Sequence, residues 1–353
     1  MEFLLDYGLF LAKIVTVVAA VVVLLIIAKS AGGKSGAAKG ELEVTNLSER
    51  HKDAVEQLEH HLHDDAFIKA RDKAVKKEEK ENNKSREKEI KQASKEGSLD
   101  SKREPHLFVL DFNGSIDAKE VASLREEVTA VLAVAREGDE VLLRLESGGG
   151  MVHGYGLASS QLDRIKVAGL PLTISVDKVA ASGGYMMACV ADKIVSAPFA
   201  IVGSIGVIAQ IPNFNKLLKK HDIGYEQLTA GEYKRTLTMF GENTDKARDK
   251  FKQELEETHV LFKDFIRERR PALELEKVAT GEHWFGTQAK ELGLVDEIST
   301  SDDLVVAACK EKTVLAVHYV QKKKLADKLA GVAGKVADSV VLKLAERGQK
   351  PIV

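Results

Sequence analysis

Cysteine is almost missing from this chain. Two occur in 353 residues, Cys189 and Cys309, far apart and with no C-x-x-C pair. A disulfide framework and a cysteine-based zinc cluster are excluded, and one bridge is the most the sequence allows. A surplus of either charge is missing too. Lys and Arg number 52 against 54 Asp and Glu, a formal net charge of −2, which argues against nucleic acid as a partner of the whole molecule. Neither G-x-x-x-x-G-K-[ST] nor G-x-G-x-x-G occurs, so nucleotide binding has no motif behind it. Core material is ample: 44% of residues are hydrophobic and 30% charged, which excludes wholesale disorder. This length predicts two globular units, or one large core with appendages.

Residues 9–28 form an apolar run broken only by Lys13 and Thr16. As a helix it spans about 30 Å, the hydrocarbon thickness of a bilayer, and Lys13 sits where its stem can reach the headgroups. A cleaved signal peptide fits less well. Glu2 and Asp6 stand where a basic region belongs, and the run exceeds the usual core of about 7–15 residues. Residues 1–29 are therefore expected to be a retained single-pass anchor. Lys29, Lys34 and Lys39 follow it, and by the positive-inside rule they favour a cytoplasmic body.

Residues 30–40 have the Gly, Ala, Ser and Lys composition of a tether. From 69 to 104, 22 of 36 residues are charged, both signs mixed. This stretch is either a solvated helix held by i,i+4 pairs or disorder, and residues 30–104 together read as a linker region. His60, His61, His63, Asp64 and Asp65 cluster just before it, and a solvated surface explains them better than a metal site.

After Pro105 the texture changes. Residues 106–112, 140–146, 171–177, 192–197 and 204–210 read as buried strands. Helical spacing covers 118–136, 154–168 and 244–270, the last stopped by Pro271. The alternation predicts an α/β body over 105–300. A strand and a basic, Ala-rich helix follow as a tail over 301–353.

Three glycine-rich turns each follow a predicted strand: Ser147-Gly148-Gly149-Gly150, Ala181-Ser182-Gly183-Gly184-Tyr185 and Gly203-Ser204-Ile205-Gly206-Val207. Glycine lets backbone N–H groups approach a ligand closely. Ser182 nearly fits a G-x-S-x-G elbow, with Ala180 in place of the first glycine. It reads equally as a nucleophile or as a simple helix N-cap. A nucleophilic serine needs a base. His221, His259 and His283 are available, none in a distinctive pattern. A lysine serves if burial lowers its pKa from about 10.4 toward 7–8. Most lysines lie in charged runs; Lys234, followed by Thr236, Leu237, Met239 and Phe240, has a better neighbourhood, although an exposed loop lysine is the plainer reading.

These turns, together with Gly231-Glu232-Tyr233-Lys234 and the segment from Ala289 through Gly293 to Asp296, resemble in order and spacing the signal peptide peptidase A family of Ser–Lys proteases, peptidase family S49. The resemblance covers roughly residues 105–300. It implies a ClpP/crotonase-like spiral of β-β-α units. It also implies Ser182 as nucleophile, Lys234 as general base, Ser204 orienting the lysine, and an oxyanion hole from the N–H groups of Gly183 and Gly150. No cofactor or metal is implied. Substrates would be extended peptides with small or apolar residues, such as signal peptide remnants.

A bacterial inner-membrane enzyme with a periplasmic body is implied, against the vote of Lys29, Lys34 and Lys39. Tandem-domain members carry lysine and serine in successive repeats. A single copy of each motif here implies a homo-oligomeric ring, possibly of eight, with the dyad shared between neighbours. Gly148 departs from the family's Ser-Pro-Gly-Gly and predicts a looser turn. The competing readings are an inactive or CoA-ester-binding crotonase-like membrane protein, and a tethered scaffold.

Overall fold

Uninterrupted apolar runs make the central strands, because a parallel sheet covered on both faces has no polar side. The computed structural model describes residues 40–96 and 103–321. Ten strands are described: β1 (Glu41–Asn46), β2 (His106–Gly114), β3 (Glu140–Ser147), β4 (Leu172–Val176), β5 (Val179–Ala181), β6 (Lys193–Ser196), β7 (Ile201–Gly203), β8 (His283–Phe285), β9 (Glu297–Ile298) and β10 (Thr313–Val320). The main path runs β1-β10-β2-β3-β4-β6-β9, with parallel pairing from β10 through β9. Val109 and Leu110 on β2, Val141 and Leu143 on β3, and Leu172 and Ile174 on β4 are fully buried. Each such side chain contributes about 1.5–3 kcal/mol through burial.

The sheet forks at β3. Residues 141–144 pair with β4, whereas Ser147 pairs with Ala180 on β5. β5 continues to β7, which takes β8 antiparallel. A ligand site is favoured where strand order diverges at carboxyl ends, and this fork sets two of the glycine turns side by side.

The helices before β2 are α1 (Leu47–Leu62) and α2 (Asp65–Glu96). Next come α3 (Val121–Val134) and α4 (Val152–Val167), then α5 (Gly183–Ala188), α6 (Asn215–Lys220) and α7 (Asp245–Arg269). Three short helices complete the set: α8 (Leu275–Val278), α9 (Gly286–Glu291) and α10 (Ser301–Ala308). Val121, Leu124, Val128 and Val131 of α3 recur at helical spacing, and all are buried. Thr244 caps α7 by accepting from Ala247 N–H.

Leu42–Tyr319 forms one compact unit, and the other, Met1–Glu41 with Val320–Val353, lies almost wholly outside the described residues. The anchor expected over 9–28 and the tail helix fall there as well, and no described helix is long and apolar enough to cross a membrane. Within the expected linker, Leu47 packs on a small cluster with Leu107, Val109 and Val314. Ser48 Oγ accepts from Val314 N–H at 2.9 Å.

One expected strand is wrong. Residues 204–210 form no strand; the strand is Ile201–Gly203. Gly203 has φ +106° and Ser204 φ +52°, so two left-handed residues in succession turn the chain out of the sheet. A Cβ at Gly203 would come within 2.8 Å of the Trp284 ring, so side-chain packing fixes the turn where it is.

Candidate active site

The turn after β3 is held from beneath by hydroxyls. Tyr155, fully buried on α4, donates to Ser115 C=O at 2.9 Å and lies 2.5 Å from Ser147 Oγ. Ser147 Oγ in turn accepts from Gly149 N–H at 3.1 Å. Met151 N–H is taken by Ile116 C=O at 2.8 Å. Gly149 and Met151 thus direct their N–H groups into the protein, while Gly150 N–H has no backbone partner among the described residues. A Cβ at Gly150 would sit 2.0 Å from Ile116 O, so only glycine fits. At Gly148, where the resemblance expects proline, an added Cβ would meet nothing within 4 Å.

The turn after β5 carries Ser182 with φ 53° and ψ −116°. For a residue with a Cβ this conformation costs on the order of 1–3 kcal/mol and persists only when neighbours enforce it. Ser182 N–H donates to Gly203 C=O at 2.8 Å, and Ser182 C=O accepts from Met186 N–H at 3.0 Å. The two turns touch: a Cβ on Gly149 would meet Ser182 Cβ at 2.7 Å and Gly183 N at 2.8 Å. On the other side, Gly183 is pressed against the Tyr155 ring at 2.5 Å by the same measure. Gly183 N–H opens α5 and has no backbone partner among the described residues. Ser182 makes no side-chain cap hydrogen bond, so its hydroxyl is not occupied as an N-cap.

α5 is buried throughout, and the late sequence motif holds it. Tyr185 OH donates to Leu294 C=O at 3.0 Å, and burial raises its pKa above the ordinary phenol value. Asp296 accepts from Ile194 N–H at 2.7 Å and from Arg270 at 2.7 and 2.9 Å. Burial opposes ionisation of Asp296, but the Arg270 and Ile194 bonds win and its pKa lies below the usual value. Burial pushes the Cys189 thiol up to about 12, so this cysteine is an inert core residue.

Gly148, Gly150, Ser182, Gly183 and Ser204 line one cavity of about 710 Å³. Its far wall belongs to α7, where Lys252, Glu256 and His259 recur at helical spacing. Of the three histidines weighed from sequence, His259 lines the cavity, and its Nε2 is buried without a hydrogen-bond partner among the described residues. His221 and His283 do not line it. Lys234 does not either; it sits exposed in the segment between β7 and α7. The structure thus brings together four of the five expected site residues and leaves the lysine apart from them. Reasoning from sequence missed the Tyr155–Ser147 support and the α7 wall. The 3–4-residue spacing of Lys252, Glu256 and His259 on an amphipathic helix was the available signal. Among the described residues no three His, Cys, Asp or Glu side chains gather as metal ligands.

Two family models match consecutive parts of the chain: peptidase family S49 N-terminal over residues 2–162 and peptidase family S49 over 164–315. The chain belongs to peptidase family S49. A probable protease SohB of Haemophilus influenzae is 53% identical over 340 residues, 96% of each chain. One of Buchnera aphidicola subsp. Schlechtendalia chinensis is 49% identical over 307 residues, 87% of this chain and all of that one. Protease 4 of Haemophilus influenzae is 29% identical over 207 residues, 56% of this chain and 34% of its own. The likeness is to SohB-type members, the chain is a peptidase by family, and its parallel α/β sheet is consistent with that fold.

Proposed function

We propose that this chain is a membrane-anchored serine endopeptidase that cleaves extended peptides with small or apolar residues, such as signal peptide remnants. The observation that carries it is Ser182, held at φ 53° beside a cavity also lined by Gly150 and Gly183, whose N–H groups have no backbone partner among the described residues. In this reading Ser182 Oγ attacks the scissile carbonyl and Lys234 Nζ takes its proton. The N–H groups of Gly150 and Gly183 receive the oxyanion, and Ser204 orients the lysine. Lys234 then protonates the leaving amine, and water hydrolyses the acyl-enzyme. The fork of β3 toward β4 and β5 fits the ClpP/crotonase-like spiral. Residues 9–28 would anchor the chain in the bacterial inner membrane, with residues 105–300 as the peptidase domain on the periplasmic side.

Since Lys234 lies outside the cavity of its own chain, the reading includes a ring-like homo-oligomer in which a neighbour supplies it, a head-to-tail arrangement that closes by rotation. Fluorophosphonate labelling of the full chain should disappear in Ser182→Ala. Lys234→Arg should be as inactive as Lys234→Ala, because arginine does not deprotonate. Mixing Ser182→Ala and Lys234→Ala chains under exchange should restore part of the activity. Co-assembly without any restored activity refutes the shared dyad.

A second reading rests on His259, whose unpartnered Nε2 stands in the cavity wall of the same chain. A His259 base predicts the reverse pattern, with His259→Gln inactive and Lys234→Ala active.

A further inference from the structure

Helix α2 carries eight acidic residues and eleven basic ones over 32 positions, and its lysines gather on one face. Lys69, Lys73, Lys76, Lys77 and Lys80 border one surface groove of about 540 Å³, and Lys84, Lys88, Lys91 and Lys95 continue the line. At about 3.6 residues per turn all nine fall within an arc of about 120°, in a stripe about 39 Å long. Both arginines, Arg71 and Arg86, lie outside that arc, and Glu87 is the one acid within it. Every lysine of the stripe is exposed. None has an ion-pair partner among the described residues, whereas Arg71 on another face pairs with Glu59.

Along this stripe, like-charge i,i+4 spacings outnumber opposite-charge ones six to four. Lys69–Lys73, Lys73–Lys77, Lys76–Lys80, Lys80–Lys84, Lys84–Lys88 and Lys91–Lys95 are all like-charge i,i+4 pairs, which destabilise an isolated helix. Interleaving the acids already present would remove the repulsion. A long anionic surface laid along the stripe removes it as well.

We propose that this face of α2 docks on the anionic phospholipid surface of the membrane in which the chain is anchored, a step that rests on the anchoring reading above. The partner follows from the chemistry. The stripe is straight and extended, and it is all lysine, whose compact hydrated ammonium attracts phosphate as a point charge where arginine would clamp it bidentately. The helix has no broad apolar face to bury; of its described side chains Ile68 alone is buried. Attraction to headgroups, without insertion, is the mode that remains. Between the apolar run 9–28 and Lys69 lie 40 residues (69 − 29), so an inserted anchor holds the stripe close to the bilayer. Nucleic acid, the other extended polyanion, is disfavoured by a net charge of −2.

The test uses the full chain with Cys309→Ser and Ser94→Cys, a dye on that cysteine, and a trace of acceptor-labelled lipid in nanodiscs. Discs are made of phosphatidylcholine alone or rich in phosphatidylglycerol. Energy transfer should be higher in the phosphatidylglycerol discs and fall at high salt. Each of Lys73→Gln, Lys77→Gln and Lys80→Gln should lower the ratio of docked to undocked helix about fivefold. Equal transfer in the two lipids, or transfer undiminished in the triple variant, overturns the proposal. Chain that fails to co-elute with either disc marks a failure of the anchoring reading. The free chain is then sedimented with phosphatidylglycerol vesicles: salt-sensitive binding supports the stripe on its own, and no binding, or retention on RNA alone, overturns it.

Discussion

Glu127 gives the sharpest link between geometry and a measurable pH dependence. It lies on α3, 4% exposed. Its Oε1 accepts from Tyr319 N–H at 2.8 Å, while Oε2 is buried without a partner among the described residues. Burial raises its pKa; the Tyr319 bond opposes this and the negative charge of Asp111 adds to it, leaving the carboxyl at about 7. Asp111 itself is held by Arg144 at 2.5 and 2.6 Å, with His318 Nε2 at 3.3 Å. The unfolded value is about 4.5, so the folded protein binds the proton more tightly than the unfolded chain. The stabilisation is complete below about 4.5 and is lost as pH rises through about 7. Integrated between about pH 5 and pH 8, the loss is roughly 2–3 kcal/mol. Glu127→Gln keeps the acceptor for Tyr319 N–H and cannot ionise. Urea unfolding of the detergent-solubilised full chain at several pH values measures both proteins. The wild type should lose roughly 2–3 kcal/mol more than the variant across that window. Parallel profiles would refute the argument, since every other titrating group is common to both.

Gly183→Ala places a methyl 2.5 Å from the Tyr155 ring; a loss of about 1–3 kcal/mol and of peptidase activity is expected from melts and turnover. Gly148→Ala meets nothing within 4 Å, so it should stabilise by about 0.4–1 kcal/mol through the unfolded chain, with activity retained. Tyr155→Phe leaves the Ser147 hydroxyl and Ser115 C=O without their partner; a melt should show a cost of about 1–3 kcal/mol, and kcat should fall as the Gly149 turn loosens. Tyr185→Phe strands the Leu294 carbonyl and should cost about 1–3 kcal/mol in the same melt.

Elements whose formation depends on local composition were legible in the sequence. The runs at 106–112 and 140–146 carry their burial in their own side chains, and β2 and β3 form where they stand. The long helix 244–270 was readable from its period and its stop at Pro271, and Thr244 caps it as a Thr should. Ser182 was legible only through the pattern around it. Serine has no intrinsic preference for a left-handed backbone, so φ 53° reflects the grip of Gly203, Met186 and Gly149 from other elements. The strand expected over 204–210 failed for the same reason: its apolar run reads as a strand, and only the packing of Gly203 on Trp284 shows that the chain turns there. The cavity wall on α7 was hidden because amphipathic spacing says which residues share a face, not what that face looks upon.

The resemblance names Lys234, but its surroundings could not be read from the sequence. Between β7 and α7, the described chain has only α6 as regular structure, yet it is not loosely tied. Asn213 Nδ2 donates to the carbonyls of Thr238 and Gly241 at 2.9 and 3.0 Å, and Asn215 Nδ2 donates to Phe240 C=O at 2.8 Å. The Phe240 ring stacks on Phe214 and lies tilted against Tyr225, with centroids 6.1 and 5.8 Å away. What the segment lacks is cover: Leu228 is 93% exposed, Ile208 79% and Tyr233 47%. Burying one such aliphatic side chain is worth about 1.5–3 kcal/mol. In the proposed ring a second copy would cover this internally bonded segment and take up its Lys234. Under that proposal the surroundings of Lys234 come from another chain, and local sequence at 230–240 does not describe them.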